Sequence, residues 1–464
     1  MKKLNKNMWA WLTHDEHQQP KAITKGDKLR KRLSALGAIG VAALVLTGCA
    51  PSSPEPAETS TQAQSSATAD PVDPVTLTIW SWRTEDVEKY NTIFDVYEAA
   101  NPGVTVEFEA FLNTEYNQIL ATGLEGSDGP DLAMVRAYGG VQALIEAGQL
   151  LPVDGLVDTS AVEQSLLAAA TGKADGKLYG VPFATQVLQV FYNKGIFDEL
   201  GLTEPTTWDE FVAVNDALNA SDYTPMALGA QDAWLLPIFH EIVGAARFGG
   251  PEFRADLLAG TKDFTDADYV ASIGLVNDMT KYMVDDVIGI DYASSQVQFI
   301  SGTAAQFPGG SFELGNFQTQ APDMDLGVYL VPPPPGAVSS KPLAAGWADG
   351  SFAINSQSEN QEAALNLLNW LASPEFGQLF VNEIKQFSAI KGMDYSDPVM
   401  KEIGELFAAG PSQYINLVDM RYGTPTGSTL IGEGIQSMFL GEKSAADVAQ
   451  YLQEGVSEWF TPGS

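Results

Sequence analysis

Histidine and cysteine are almost missing from this chain. It has three histidines, His14, His17 and His240, and one cysteine, Cys49, in 464 residues. One thiol closes no internal disulfide and offers no thiolate cluster to a metal. After the N-terminal segment, a Ser-His-Asp triad has only His240 as a base. His240 lies in the apolar stretch Pro237-Ile-Phe-His-Glu-Ile-Val, where a packed histidine is expected. His-rich zinc sites are excluded, and no metal site is expected. No Walker A sequence occurs, and Gly432-Glu-Gly434-Ile-Gln-Ser437 only half matches a dinucleotide loop. The acidic clusters Asp263, Asp266, Asp268 and Asp323, Asp325 lack the spacing and terminal glutamate of an EF-hand loop. No cofactor is expected.

Positive charge is also scarce, with 25 Lys and Arg against 59 Asp and Glu. Nine of the basic and three of the acidic residues precede Cys49, which leaves the remainder with a net charge of −40. That argues against nucleic acid as a partner, because phosphates need Lys and Arg for neutralisation. It also argues against docking of the body itself on anionic lipid headgroups. A soluble body with a neutral or cationic small ligand fits better.

The apolar run Leu33–Leu46 has 14 uncharged residues, short of the roughly 20 that a spanning helix needs. It follows Lys25, Lys28, Arg30, Lys31 and Arg32 and ends at Leu46-Thr-Gly-Cys49, the layout of a signal peptide. Leu-Thr-Gly-Cys resembles the lipobox of bacterial lipoproteins. That resemblance implies a diacylglyceryl group on the Cys49 sulfur and cleavage just before it. Residues 1–48 are then a signal peptide. Residues 49–73, rich in Pro, Ser, Thr, Ala and Gln, are a lipidated N-terminus and a linker with too little apolar surface to fold. Two acyl chains on one residue anchor stably, so the membrane is met through lipid only.

The remaining length, about 390 residues, suggests two compact units. Val75–Trp80 alternates as a strand. Asp86–Ala100 has helical periodicity, and Asn101-Pro-Gly103 ends it. Val104–Phe108 is a strand, Tyr116–Leu120 lies in a helix, Asp131–Val135 is a strand and Val141–Ala147 a helix. This βα alternation predicts an α/β fold with mostly parallel sheets. Lys177–Phe183 and Val187–Tyr192 read as extended runs, and Gly327–Val331 and Phe352–Ile354 as strands. Thr207-Trp-Asp-Glu210 is a capping box. Ser356–Leu371 reads as one amphipathic helix. Ser373-Pro374 restarts a helix and Ser444 caps the last one.

Several segments in order resemble the extracellular solute-binding proteins of ABC importers, family 1, the group containing maltose-binding proteins. They are Asn101-Pro-Gly-Val-Thr-Val, Gly129-Pro-Asp-Leu, Gly176-Lys-Leu-Tyr-Gly-Val-Pro, Phe191-Tyr-Asn-Lys194 and Pro205-Thr-Thr-Trp-Asp-Glu-Phe211. Gly302-Thr-Ala-Ala-Gln-Phe-Pro-Gly-Gly-Ser-Phe-Glu313 and Ala353-Ile-Asn-Ser follow, with Ala364–Pro374 after them. The resemblance implies a two-lobed periplasmic-binding-protein type II fold hinged around a ligand cleft. It places lobe 1 at residues 74–185 plus 349–388 and lobe 2 at 186–348 plus 389–464. It also implies a monomer without enzymatic activity, whose partners are a sugar or oligosaccharide and the membrane subunits of an ABC permease.

A sugar cleft needs aromatic rings for C–H faces and planar polar groups for hydroxyl pairs. Trp82, Arg83 and Glu85 follow the first strand, and Arg136 and Tyr138 follow the third. Each group lies where a ligand loop should be, although Trp82 could equally pack in the core. Gln186 is a polar residue inside an apolar run at the first crossover and needs a partner. Trp234 follows Gln231-Asp232 and stands either in a loop or in the core with Leu235-Leu-Pro. Gly309-Gly-Ser311-Phe-Glu313 offers amides, a hydroxyl and a carboxylate. Trp347 and Asp349 join an aromatic and a carboxylate at the second crossover and form the foremost candidate pair. Arg421-Tyr422 lies in a loop-rich segment near the C-terminus.

Two other functions fit the same residues. A secreted glycoside hydrolase needs only paired carboxylates. An acidic aromatic cleft would also suit a polyamine, and a peptide is a further non-sugar solute.

Overall fold

The computed structural model describes residues 74–126 and 129–463. Cys49, the signal peptide and the linker lie outside the described residues. Twelve strands form two sheets. They are β1 Val75–Ser81, β2 Val104–Ala110, β3 Leu132–Arg136, β4 Val181–Pro182, β5 Ala184–Asn193, β6 Thr224–Met226, β7 Ala304–Gly310, β8 Leu326–Tyr329, β9 Ala344–Ala348, β10 Gly350–Ile354, β11 Phe387–Ser388 and β12 Pro411–Gln413. The first sheet runs β2-β1-β3-β10-β4, and the second β12-β9-β5-β7-β6 with β8 and β11 also on β5.

Parallel pairing holds between β1 and both β2 and β3, between β6 and β7, and between β9 and β12. The rest is antiparallel. β10 runs against β3 and β4, and β5 runs against β7, β8, β9 and β11. The mixed pairing departs from the expected mostly parallel sheets for a topological reason. Only Phe183 separates β4 from β5, and only Asp349 separates β9 from β10. At each of these breaks the chain leaves one sheet and enters the other, so no βαβ crossover dictates strand direction there.

β5 shows how alternation builds the second lobe. Leu188, Val190 and Tyr192 face one apolar cluster, while Val187 and Phe191 face another, as the two-residue period of a strand requires. The first cluster packs against the helix Leu235–Phe248, buried along nearly its whole length. The second packs against Leu314–Gln320 and Pro398–Ala409. The first sheet has its own core, with Tyr90, Ile93, Phe94 and Tyr97 of the helix Val87–Ala100 over β1 and β2.

Local capping signals survive intact. Thr207 and Glu210 satisfy each other's backbone amides in a complete capping box, and Ser444 and Asp447 do the same. The expected helix 356–371 starts later, at Gln361. Ser358 and Asn360 instead donate to the Asp131 carboxylate at 2.5 and 3.1 Å, and side-chain partners of this kind compete with helix formation. Gly432 and Gly434 lie inside the helix Gly427–Phe439, not in a phosphate loop. A Cβ on Gly432 would stand 2.5 Å from the Ala233 carbonyl oxygen, and one on Gly434 would stand 2.8 Å from Val448, so close packing explains both glycines. No helix among the described residues is long and apolar enough to cross a membrane.

Candidate functional site

The site begins where β1 ends. Trp82 is buried, with its ring 5.6 Å from Tyr116 and 6.1 Å from Phe183. Its other neighbour is charged: the Arg136 guanidinium stacks 3.9 Å from its ring centroid. Arg83 is buried and committed. Its guanidinium pairs with Glu85 at 3.1 Å and Asp86 at 2.7 Å. Burial opposes its charge, but Asp86 and Glu85 outweigh burial and raise its pKa. Arg83 also donates at 3.3 Å to the carbonyl of Phe312 and lies 5.9 Å over the Phe312 ring. Phe312 follows β7 of the second sheet, so Arg83 ties the end of one sheet to the end of the other.

Gln186 has found the partners its burial demands. Its amide donates to Asp349 at 3.0 Å and to Gln386 at 2.8 Å, and its carbonyl accepts from the Ser311 hydroxyl at 2.7 Å. The same hydroxyl oxygen accepts from the Val187 amide. The network joins the start of β5, the Asp349 break, the turn after β7 and the segment before β11. Asp349 is partly buried, and its carboxylate is held in one orientation by Gln186.

Glu313 is fully buried and accepts from the Tyr292 hydroxyl at 2.9 Å and the Gln296 amide at 2.7 Å. Burial raises its pKa to about 8, against the opposing pull of those two donors, so at neutral pH it is a proton-bearing strut. Trp234 lies edge-on to Tyr292 at 5.0 Å and 6.5 Å from Phe312. The aromatic ring of Trp234 therefore meets the Arg83 latch through Phe312. Trp234 is only partly buried.

Arg136 ends β3. Its guanidinium donates to two neutral groups, the side-chain oxygens of Asn117 at 3.1 Å and Asn113 at 2.6 Å. Burial, then the nearby charge of Arg421, lowers its pKa to about 10. Tyr138 holds a left-handed backbone, φ 57°, an uncommon conformation that an ordinary side chain adopts at a cost. Its hydroxyl accepts from the Ala348 amide at 3.2 Å. Gly139 and Gly140 follow and open the helix Gly139–Glu146. A Cβ on Gly139 would stand 2.2 Å from the Arg421 carbonyl carbon, so only glycine lets the Arg421-Tyr422 loop approach. Tyr422 is partly buried, with Lys173 Nζ 5.0 Å over its ring.

The foremost candidate pair splits. Asp349 lies in the network, but the Trp347 ring is 5 % exposed, belongs to the second lobe's core and stands edge-on to Tyr414 at 5.4 Å. Two positions apart, the pair would share a face of one strand, but Asp349 lies in the break after β9, where the chain passes to the other sheet. His240, the single available base, is fully buried with Nε2 2.8 Å from the Ser272 hydroxyl, and burial lowers its pKa to about 3. Asp86, Tyr292, Phe312 and Gln386 join the site although the sequence reading passed over them. Asp86 stands three residues after Arg83, a spacing that could have signalled the pair. Nothing local marks Gln386, whose partner lies 200 positions away. Two surface depressions, about 400 and 420 Å³, lie elsewhere, around Glu204–Thr206 and Asp397–Val399.

Comparison with known proteins agrees with this architecture. The sequence profile of the bacterial extracellular solute-binding proteins matches residues 81–378. A protein of Streptococcus mutans serotype c named "Multiple sugar-binding protein" is 23 % identical over 378 residues, covering 79 % of this chain and 84 % of its own length. A structure from a study of xylan utilization by the thermophilic bacterium Caldanaerobius polysaccharolyticus superposes with a TM-score of 0.72 at 21 % identity, covering 82 % of this chain and 99 % of that one. The solute-binding protein RafE in complex with raffinose gives a TM-score of 0.69 at 20 % identity, with 83 % and 99 % coverage.

Proposed function

We propose, from the premise that this chain belongs to the bacterial extracellular solute-binding protein family, that it captures a sugar or oligosaccharide between its lobes and delivers it to the membrane subunits of an ABC importer. The observation that carries the reading is a convergence. Aromatic and planar polar side chains from both sheets gather around Asp349, where Tyr138 takes the Ala348 amide and Gln186 holds the carboxylate, and Trp234 reaches the Arg83 contact through Phe312. Tyr138, Tyr422 and Trp234 supply faces for pyranose C–H surfaces. Asp349, Arg136 and Arg421 supply charged donors and acceptors for hydroxyls. In this reading Trp82, Gln186, Ser311, Glu313 and Trp347 are the framework behind them, and Arg83 with Glu85 is the interlobe latch. The sugar names carried by similar proteins support the same ligand class.

The lobes are assigned to residues 74–185 plus 349–388 and 186–348 plus 389–464, with hinge motion between them. Cys49 carries a diacylglyceryl anchor, and residues 49–73 form the leash. The protein acts as a monomer and turns over no substrate. The family's extracellular placement accords with the anchor, and Cys49→Ser should release the protein from the membrane fraction.

Calorimetric titration with sugars, a polyamine and peptides tests the ligand class. A sugar should raise the melting temperature by mass action. Stabilisation by spermidine alone would overturn the sugar reading. Repeated cleavage of an oligosaccharide would replace a carrier with a hydrolase.

A further inference from the structure

Five arginines follow Cys49, in a body carrying a net charge of −40. With carboxylates in such excess, each guanidinium should find one. Three do. Arg83 pairs with Glu85 and Asp86, Arg247 with Asp268, and Arg254 with both oxygens of Asp419 at 2.7 Å. Arg136 and Arg421 form no ion pair among the described residues, and these two are neighbours. Arg421 Nη1 lies 3.8 Å from where a Cβ on Gly140 would stand, and the Arg136 Cβ lies 2.6 Å from the same point. They come from distant parts of the chain, the end of β3 and the loop after Asp419. The positive end of the helix Gly139–Glu146 opens beside them.

Holding two partly desolvated guanidinium groups within electrostatic reach of each other is unfavourable without an anion to share. Asp349 acts electrostatically on both, but its carboxylate is bound to Gln186, and it is one charge against two. The other nearby acids are committed: Glu85 and Asp86 to Arg83, and Asp419 to Arg254. Between the two arginines and Asp349 one positive charge is left over, and the Lys173 ammonium over Tyr422 adds to it. Arg136 is held flat against Trp82 and by two asparagine oxygens, a geometry that fixes the orientation of its planar donors. Arg421 has no hydrogen bond from its guanidinium to any described residue, which leaves its fork free.

We propose that the ligand is an acidic saccharide. One carboxylate, as on a uronic acid unit, would be shared by Arg136 and Arg421, with the sugar faces against Tyr138 and Tyr422. A carboxylate answers the local positive surplus, and guanidinium forks bind carboxylates bidentately. This rests on the sugar-binding reading and narrows its substrate class. It also runs against the polyamine alternative, since a polycation would meet unpaired arginines.

The test is calorimetric titration of the purified protein with matched acidic and neutral probes. They are glucuronate and glucose, galacturonate and galactose, trigalacturonate, and xylotriose with and without a glucuronosyl branch. At least one acidic probe should bind ten-fold or more tightly than its neutral counterpart, with affinity falling as salt is raised. Arg421→Gln should reduce that ratio to near one, and Arg421→Lys should keep part of it. Circular dichroism and melting confirm that both variants fold; if Arg421→Gln does not, the salt dependence and Arg421→Lys decide. A neutral probe binding as tightly as its acidic partner overturns the acidic assignment and leaves the sugar reading standing. Failure of every saccharide, acidic and neutral, overturns both.

Discussion

The proposed cleft wall and the interior of the second lobe treat the hydrogen bonding of buried polar groups in opposite ways. At the cleft, Gln186 makes three side-chain hydrogen bonds and Glu313 accepts two. In the interior, both carboxyl oxygens of Glu241 are buried without a hydrogen-bond partner among the described residues, as are His240 Nδ1, Trp347 Nε1 and the Asn416 side-chain oxygen. Burial pushes Glu241 up to about 8 and His240 down to about 3. Burial favours the neutral carboxyl in both regions, but only the cleft adds hydrogen bonds that fix orientation. Orientation matters where a ligand must be read, and neutrality suffices where only packing is needed.

The comparison can be broken from its strongest side first. Trp347→Ala should cost about 3–5 kcal/mol of stability, read from the denaturant midpoint, because the ring is core. An unchanged midpoint with lost sugar affinity would move Trp347 to the cleft side. Next, Glu241→Leu should stabilise the protein at pH 8 by about 2–4 kcal/mol, since an unpartnered buried carboxyl is replaced by an apolar group of similar size.

The sign of the pH effect follows from the raised folded pKa. The unfolded chain releases the Glu241 proton above about 4.5 while the folded chain keeps it to about 8. Stability is therefore full below that window and falls as pH rises through it, by about 1.4 kcal/mol per pH unit per group. Glu313 adds a second such group. Chemical unfolding at pH 5 and pH 8 should show a smaller difference in Glu241→Leu than in the parent. An equal difference would mean that Glu241 is not the group titrating. His240 works in the other direction and removes stability as pH falls from about 6.5 toward 3.

The same substitution at the other carboxyl sharpens the contrast. Glu313→Leu should destabilise by about 1–3 kcal/mol, because it strands the Tyr292 hydroxyl and the Gln296 amide. If both leucine variants move stability the same way, hydrogen bonding does not separate the two regions. The smallest effect expected is from Tyr138→Phe. It removes the acceptor for the Ala348 amide and should cost about 1 kcal/mol in a melting experiment.

Much of the architecture could be read from local patterns. The strand Val75–Ser81, the helix Val87–Ala100 and both capping boxes follow from periodicity and from side chains three or four positions apart. The strands β7 and β9 escaped because Ala304–Gly310 and Ala344–Ala348 are buried on both faces. Small and glycine-rich, they show no alternation. The helix 356–371 was read too long because Ser358 and Asn360 serve Asp131, 227 and 229 positions away.

At the candidate site the sequence by itself determined residue types and strand ends: aromatics and planar polar groups after β1 and β3, and at the two crossovers. It also determined the family, through ordered segments. Only the tertiary structure decided which of those groups are spoken for. Residues two positions apart diverge, with Trp347 in the core and Asp349 bound to Gln186 from 163 positions away. Three arginines are neutralised by carboxylates, and two, Arg136 and Arg421, are left without an ion pair among the described residues and within electrostatic reach of each other. Charge pairing depends on distance in space, and a chain of this acidity contains a carboxylate partner for any arginine until the fold determines which ones come within reach.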